Sequence, residues 1–443
     1  MPNRLFGSLS GVHVPHRKNT AHMSPVRMPP PDQVVIPTVM HIGAPANPIV
    51  KAGDTVAVGQ LIAESGGFIS APVHASVSGK VKKVEDIVLS NGRKAPAIFI
   101  DSDGEMRPFE GLTPPKADTL EELADAVRAS GIVGLGGAGF PTSVKLAIKD
   151  IEKVEYFVIN GAECEPYITS DTRTMRDYTD LVERGTRRIS EFLKPKAVYI
   201  GIEKNKPNSI KGLKERFKDD PTIIVKPLPS MYPQGGEKVL IYNTTGRIVE
   251  EGKLPLDAGV VIMNVTTLAN IEQYIETGMP LVEKLVTVDG SAVKEPKNVF
   301  VPIGTRLRDV FEFCGGFREE PKKLLYGGPM MGTAVPDLDV PILKNTNAIL
   351  ALNARDAEVK KETPCIRCGN CVNHCPMRLN PPAIAKAFKN KDGEALYKQR
   401  VNLCMECGAC AFVCPANQPI VQRHKLAKGV VRQWQNTQKG DKK

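Results

Sequence analysis

Between residues 49 and 100, short runs of apolar and β-branched residues alternate with glycines and polar pairs, as in Val50-Lys-Ala-Gly-Asp54, Val56-Ala-Val-Gly-Gln-Leu-Ile62 and Ala71-Pro-Val-His-Ala-Ser-Val-Ser-Gly-Lys-Val81. That rhythm predicts short strands joined by tight turns, packed as a β-sandwich. The period then changes. Asp118 to Ala129 has apolar residues at helical spacing, a glycine-rich stretch follows, Ser143 to Lys149 reads as a second helix, and Tyr156-Phe-Val-Ile-Asn160 reads as a strand. The richest apolar stretch, Ala258 to Ile271, is broken by Asn264, Thr266, Thr267 and Asn270. It falls short of the roughly 18 to 20 uninterrupted apolar residues that a membrane-spanning helix needs. Ala383 to Asn390 and Gly393 to Arg400 read as two further helices. Residues 1–30 are rich in Pro, His and basic side chains without an apolar period, and read as an extended arm packed on the body.

The ten cysteines change the picture most. Eight fall in two runs, Cys365, Cys368, Cys371, Cys375 before Pro376 and Cys404, Cys407, Cys410, Cys414 before Pro415, each spaced C-x2-C-x2-C-x3-C-P. Thiolates at i, i+3 and i+6 wrap one turn of chain around three corners of a four-iron cubane, and the proline turns the fourth away. In two-cluster ferredoxins that fourth cysteine ligates the other cluster. The expected arrangement is therefore crossed, with Cys365, Cys368, Cys371 and Cys414 on one [4Fe-4S] cluster and Cys404, Cys407, Cys410 and Cys375 on the second. A disulfide framework or paired zinc sites would have to explain two identical runs with a terminal proline in a chain that lacks a secretory signal. The intervening helices point to a helical ferredoxin domain. Cys164 and Cys314 stand alone. His13, His16 and His22 lack helical spacing and an acidic or cysteine partner, which argues against a metal site in the arm.

At 443 residues with 42 % apolar content, the chain has room for two to four domains. The formal charge of +10 falls to about +6 once eight thiolates hold two oxidised cores. With only 5 % aromatic residues and no basic stripe, nucleic-acid binding is not expected. Met1 to Thr20 has no apolar core of signal-peptide length, so residence in the cytoplasm is expected.

The second candidate site is Gly131-Ile-Val-Gly-Leu-Gly-Gly-Ala-Gly-Phe-Pro-Thr142. Gly134, Gly136, Gly137 and Gly139 let backbone amides approach a phosphate or a flat ring, the following helix turns its positive end toward it, and Lys145 adds a charge. After the strand at Tyr156 comes Gly161-Ala-Glu-Cys-Glu-Pro-Tyr167, which puts Glu163 and Glu165 at a strand's C-terminal end, where open α/β sheets bind ligands. A structural turn and a pair of solvated charges are the plainer alternatives.

Several of these segments resemble known families. Residues 49–100 resemble the lipoyl- and biotinyl-carrier sandwich, but Glu64-Ser-Gly-Gly-Phe-Ile-Ser70 has no lysine to acylate, so a sandwich without a prosthetic group is expected. Gly134 to Thr142 with Asn160-Gly-Ala-Glu-Cys-Glu-Pro166 is similar to the flavin and NADH site of the flavoprotein subunit of respiratory complex I. Val261-Ile-Met-Asn-Val-Thr-Thr-Leu-Ala-Asn270 is similar to that family's flavin-phosphate segment. Val301 to Gly332 resembles its soluble-ligand-binding β-grasp domain. The whole layout, including His13 and His41-Ile-Gly-Ala-Pro-Ala46, resembles the C subunits of the Rnf (Rsx) ion-translocating oxidoreductases over roughly residues 5–420.

The resemblance implies a multidomain α/β plus β protein. Its parts would be an arm (1–30), a lipoyl-like barrel-sandwich (31–110), a Rossmann-like flavin- and NADH-binding domain (118–255), a β-grasp domain (256–340), a helical two-cluster ferredoxin domain (358–425) and a basic tail (426–443). It implies non-covalent FMN beside Gly134, Gly136, Gly137, Gly139, Lys145, Asn160, Glu163, Glu165, Asn264, Thr267 and Asn270. NAD(H) would be the substrate. One segment departs from the complex I pattern: Gly235-Gly-Glu-Lys-Val-Leu240 stands where that family has G-E-E-T-A-L, so one carboxylate and a threonine of the nicotinamide side are absent. No side chain is expected to act as acid or base.

A nicotinamide exchanges two electrons as hydride and an iron-sulfur cluster accepts one, so a flavin between them is chemically required. In the Rnf family this traffic links NAD and ferredoxin to ion pumping in membrane partners, with this component peripheral on the cytoplasmic face and passing electrons to or from an iron-sulfur partner or ferredoxin. Arg423, Lys425, Lys428 and Arg432 lie on a candidate helix with Leu426, Val430 and Trp434 that would meet a partner or anionic lipid. The competing readings are a soluble flavin and iron-sulfur reductase of corrinoid type, and an electron-transfer adaptor without NADH activity.

Overall fold

A computed structural model describes residues 10–90 and 92–440, without the side chains of residues 439 and 440. The first nine residues of the expected arm and the last three of the expected tail lie outside the described residues.

The barrel-sandwich pairs a four-stranded sheet, in the order Gln33–Pro37, Lys94–Ser102, Gly79–Val88, Thr55–Val56, with a three-stranded sheet of Asn47–Pro48, Leu61–Glu64 and Val73–His74. Inward residues such as Val34, Ile36, Ile62, Val73, Ile98 and Ile100 are wholly buried between them. The loop at Glu64 to Ser70 is held against the next domain, with the Arg128 guanidinium stacked over Phe68.

Helix Leu120–Ala129 starts where Thr119 accepts the Glu122 amide, with acids in its first turn and Arg128 in its last. It leads into a four-stranded, all-parallel sheet in the order Ile223–Leu228, Ala197–Glu203, Tyr156–Asn160, Val260–Asn264. The runs YFVIN and VVIMN are buried across nearly every position, as a parallel sheet covered on both faces requires. This corrects the domain boundary expected between 255 and 256. Val260–Asn264 is the fourth strand of the parallel sheet, so the α/β unit runs through helix Val265–Thr277, which ends on left-handed Gly278.

The next sheet is six-stranded and mixed, in the order Val26–Arg27, Lys297–Pro302, Glu283–Asp289, Ala348–Leu352, Lys323–Tyr326, Thr333–Val335. Its last chain segment therefore lies past the expected limit at 340, and its edge strand comes from the arm. The arm also bridges Val12 to Tyr232 in both backbone directions and drives the Lys18 ammonium onto the carbonyls of Glu163, Glu165 and Ile168. Helices Pro381–Lys389, Gly393–Lys398 and Ile420–Gly440 close the C-terminal domain over Ile384, Leu396, Val401, Ala427 and Val431. The last helix crosses the boundary expected at 425/426, and three of its cations are paired within the domain: Arg423 with Glu362, and Lys425 and Lys428 with Glu406.

Three domains meet at Lys344. Its fully buried ammonium donates to Pro72 O at 2.5 Å and Gly131 O at 2.7 Å, and burial lowers its pKa to about 7. The unfolded chain holds that proton up to about pH 10.4, so it binds more protons than the folded chain between about pH 7 and 10. Stability is lost as pH falls through that window, by up to about 4 kcal/mol. Apparent Tm should therefore rise from about pH 7 to 9.5 more steeply in the native protein than in Lys344→Met. Parallel slopes in the two would show that this junction does not titrate.

Candidate functional site

In the parallel sheet, crossovers run from Tyr156–Asn160 outward to Ala197–Glu203 and Ile223–Leu228, then reverse to Val260–Asn264 on the other side. The reversal opens a crevice at the strands' C-terminal ends. Asn160 and Asn264, one from each strand, lie there side by side in register.

The glycine-rich loop sits over this crevice. It is closed by Gly134 N donating to Phe140 O (2.8 Å) and Gly139 N to Gly134 O (3.2 Å). Leu135 N donates to Thr267 Oγ1 at 2.9 Å, and a Cβ on Gly136 would lie 2.9 Å from Asn264 Nδ2, so only glycine fits there. Gly137 and Gly139 have φ of +128° and +67°. The loop's carbonyls are tied from behind: Gly131 to Lys344, Gly137 to Asn345 Nδ2 (2.8 Å) and Gly139 to Ile42 N (3.0 Å). The amides of Gly136, Gly137 and Ala138, all exposed, have no acceptor among the described residues. Consecutive unpaired amides on a loop anchored through its carbonyls suit an anion. The helix after it is only Thr142–Leu146, shorter than the expected Ser143–Lys149, so the loop amides rather than a helix end supply the donors.

Around the loop, Asn264 caps helix Val265–Thr277 by accepting the amides of Thr266 (3.0 Å) and Thr267 (3.1 Å), while its Nδ2 donates to Asp171 Oδ2 at 2.8 Å. Asn160 Nδ2 donates to Gly235 O at 2.9 Å. Lys145 Nζ donates to Ile262 O (3.1 Å) and reaches Glu237 at 3.3 Å, linking the loop's helix to the Gly235-Gly-Glu-Lys segment. The four loop glycines, Lys145, Asn160, Asn264 and Thr267 are thus brought together.

The two carboxylates are committed to protein amides. Glu163 is buried, accepts Asp171 N at 2.7 Å and Thr172 Oγ1 at 2.7 Å, and burial raises its carboxyl to about 7. Glu165 accepts Met330 N and Met331 N at 3.0 and 2.7 Å, and burial raises it too. Gly328 is the residue whose missing side chain makes room for it. Asn270 stands apart, donating to Thr266 O and lining a cavity with Thr174, Tyr178 and Phe300 against the mixed sheet.

Sequence reasoning missed Asp171, whose carboxylate takes both Asn264 Nδ2 and Thr266 Oγ1 (2.6 Å). It also missed Asn345, Lys18 and the buried Lys206–Glu203 pair beside the Glu163 carbonyl. Asp171 lies in helix Ser170–Asp177, SDTRTMRD, whose first six residues, five of them polar, are all buried. With no apolar stripe, this helix left no periodic signal in the sequence.

The cysteines form two groups. A cavity in the C-terminal domain is lined by Cys404, Cys407, Cys410 and Cys375, together with Met405 and His424. The Cys410 thiol is raised to about 12, first by burial and then by Cys407, Cys404 and Cys375. The Cys371 thiol is raised by burial and then by Cys414 and Cys365. Each run therefore has the other run's last cysteine as a neighbour. Four thiols around one cavity are a donor set for a metal-sulfur core, whose positive charge would remove the protons that burial retains. Cys365 and Cys368 are exposed, whereas Cys407 and Cys410 are buried. Cys164 and Cys314, each pushed up to about 12 by burial, are inert small side chains.

The buried group lies against the α/β domain. Tyr232 Oη donates to Cys407 O at 2.5 Å, and Gly236 has no room for a Cβ beside Met405 Cε. Gly235, one residue away, is the group held by Asn160 and also donates to Cys164 Sγ at 3.4 Å.

Comparison with known proteins agrees with this layout. Residues 7–105 match the RnfC barrel sandwich hybrid domain, 127–273 the Nuo51 FMN-binding domain, 285–334 the SLBB domain and 364–419 a 4Fe-4S dicluster domain. The C subunit of the proton-translocating ferredoxin:NAD(+) oxidoreductase complex of Clostridium ljungdahlii is 45 % identical, over 89 % of this chain and 86 % of that one. The C subunit of the Na(+)-translocating ferredoxin:NAD(+) oxidoreductase complex of Acetobacterium woodii is 43 % identical, over 85 % and 86 %. The C subunit of the ion-translocating oxidoreductase complex of Rhodobacter capsulatus is 39 % identical, over 98 % and 85 %. Among solved structures, NAD+-reducing [NiFe]-hydrogenase in the H2-reduced state aligns with a TM-score of 0.50 at 16 % identity, over 71 % of this chain and 63 % of that one, a likeness of fold alone. With an anion-ready glycine loop at the switch point, a four-thiol cavity that takes its fourth cysteine from the other run, and this degree of identity along nearly its whole length, the chain belongs to the C-subunit family of the Rnf ion-translocating oxidoreductases.

Proposed function

We propose that this chain is the peripheral subunit that exchanges electrons between NAD(H) and ferredoxin in an ion-translocating oxidoreductase, holding FMN at the glycine loop and two [4Fe-4S] clusters on the crossed thiol groups. The observation that carries this reading is the contact between the two sites: Asn160 of the crevice holds Gly235, and the adjoining Tyr232 and Gly236 pack on Cys407 and Met405. FMN, when bound, converts the two-electron exchange of a nicotinamide into single-electron exchange with iron-sulfur clusters. The chain's own residues bind and orient. The amides of Gly136, Gly137 and Ala138 would meet the FMN phosphate, Thr267 and Asn264 hold the loop in place, and Asp171 holds Asn264. Lys145 and Asn160 anchor the Gly235-Gly-Glu237 segment beside the crevice. Glu163 and Glu165 act by fixing the surrounding loops, and Asn270, within the helix that Asn264 caps, donates to Thr266 O.

The exposed thiols of Cys365 and Cys368 favour a partner at that face, an iron-sulfur protein of the complex or ferredoxin, while the buried group faces the flavin site. In this reading the chain attaches to the cytoplasmic face through membrane subunits of the complex; no helix among the described residues is itself long and apolar enough to cross a membrane. The relatives named above translocate protons in one case and sodium ions in another.

Anaerobic reconstitution followed by titration with NADH tests the reading. About eight irons, one releasable FMN per chain and bleaching of the flavin band by NADH are expected. Eight irons with flavin indifferent to NADH would instead mark an electron-transfer adaptor.

A further inference from the structure

Helix Ile420–Gly440 brings His424 to the cavity of the buried thiol group. Its Nδ1 lies 3.3 Å from Cys404 Sγ, the residue is 1 % exposed, and its Nε2 is buried with no partner. A buried imidazole with one nitrogen unpaired is costly, and it persists where another group demands the ring. A thiolate bound to iron has no proton to give, so in this contact the ring is the donor.

We propose that His424 is a positioning residue for the buried cluster: through an Nδ1–H donated to the Cys404 thiolate, it stabilises the cluster's reduced form and raises its reduction potential. The inference rests on the crossed ligand set proposed above. Reduction adds one negative charge to a site whose Cys407 and Cys410 are buried, and burial alone opposes that charge. An N–H dipole fixed on a ligand sulfur offsets the opposition, and in a dry site it acts with little screening.

Neighbouring groups do not supply the same effect. Lys428, one turn further along, donates to Cys404 O at 2.7 Å but pairs with Glu406 at 2.7 Å, which offsets its charge. Leu379 N donates to Cys375 Sγ at 3.4 Å through the backbone, so substitution leaves it in place. At the exposed group, the histidine nearest in sequence, His374, has its Nδ1 bonded to Asn370 O at 2.9 Å. Among the described residues, His424 is the histidine bonded to a ligand sulfur. The competing explanation is that it merely fills space beside Ala427 and Val431.

The test is an EPR-monitored redox titration of the full-length, anaerobically reconstituted protein, as native chain, His424→Leu and His424→Gln. Cys368→Ser identifies the signal of the exposed cluster. His424→Leu should weaken reduction of the buried cluster roughly tenfold, about 59 mV for one electron, and leave the exposed cluster where it was. His424→Gln, which keeps an N–H, should recover part of that shift. Unchanged midpoints, or equal shifts of both clusters, would overturn the proposal. Should His424→Leu fail to assemble, pulsed EPR of the native chain labelled with 15N-histidine decides: a histidine nitrogen coupled to the reduced buried cluster supports the role, and no coupling overturns it. A native chain holding far fewer than about eight irons would instead refute the ligand set beneath the inference.

Discussion

Replacing Cys414 by serine should remove or convert the cluster of the first cysteine run while sparing that of its own run. Cys371 has Cys414 and Cys365 as its thiol neighbours, whereas Cys404, Cys407 and Cys410 share their cavity with Cys375. Iron should fall from about eight to about four per chain, and the surviving EPR signal should match that of Cys368→Ser rather than that of Cys407→Ser. The opposite match would mean that each run closes on itself. Since Cys365 and Cys368 are exposed, reduction by an external iron-sulfur partner should fall by at least tenfold, with flavin reduction by NADH unchanged.

The second large effect is expected at Gly136. A Cβ there meets Asn264 Nδ2 at 2.9 Å and Asn264 Cγ at 3.1 Å, and Asn264 is held on its far side by Asp171 and the helix amides it caps. Valine must therefore displace the loop, breaking the Leu135–Thr267 bond and moving the three free amides. Overpacking of this kind costs about 1 to 3 kcal/mol, so FMN should bind about 5- to 150-fold more weakly, with the iron content intact. FMN retained at native affinity in Gly136→Val would place the flavin phosphate elsewhere.

Much of this architecture was readable from local pattern. The two C-x2-C-x2-C-x3-C-P runs needed no tertiary information, because the spacing that serves a cubane is written within a short stretch of chain. The strand Tyr156–Asn160, the helix ending at Ala129 and the glycine loop were likewise legible, since each depends on period or on a local backbone requirement. The domain boundary near 255 was not. Nothing in VVIMN tells whether it joins the sheet before it or the sheet after it, and the choice is made by pairing with Tyr156–Asn160, far back along the chain. Helix Ser170–Asp177 was also hidden, because a helix buried by polar contacts has no apolar stripe to read.

The sequence by itself determined the kinds of chemistry present: thiol runs for two clusters, a glycine loop for an anion, and the order of the domains along the chain. Those follow from residue type and short-range spacing. Tertiary structure alone decided which partners these groups have. It tied the loop's carbonyls to Lys344, Asn345 and Ile42, turned Glu163 and Glu165 toward backbone amides, and set His424 against Cys404. The physical reason is burial. Once water is excluded, nearly every donor and acceptor finds a partner wherever the packed fold offers one, and that partner is commonly a residue far away in sequence.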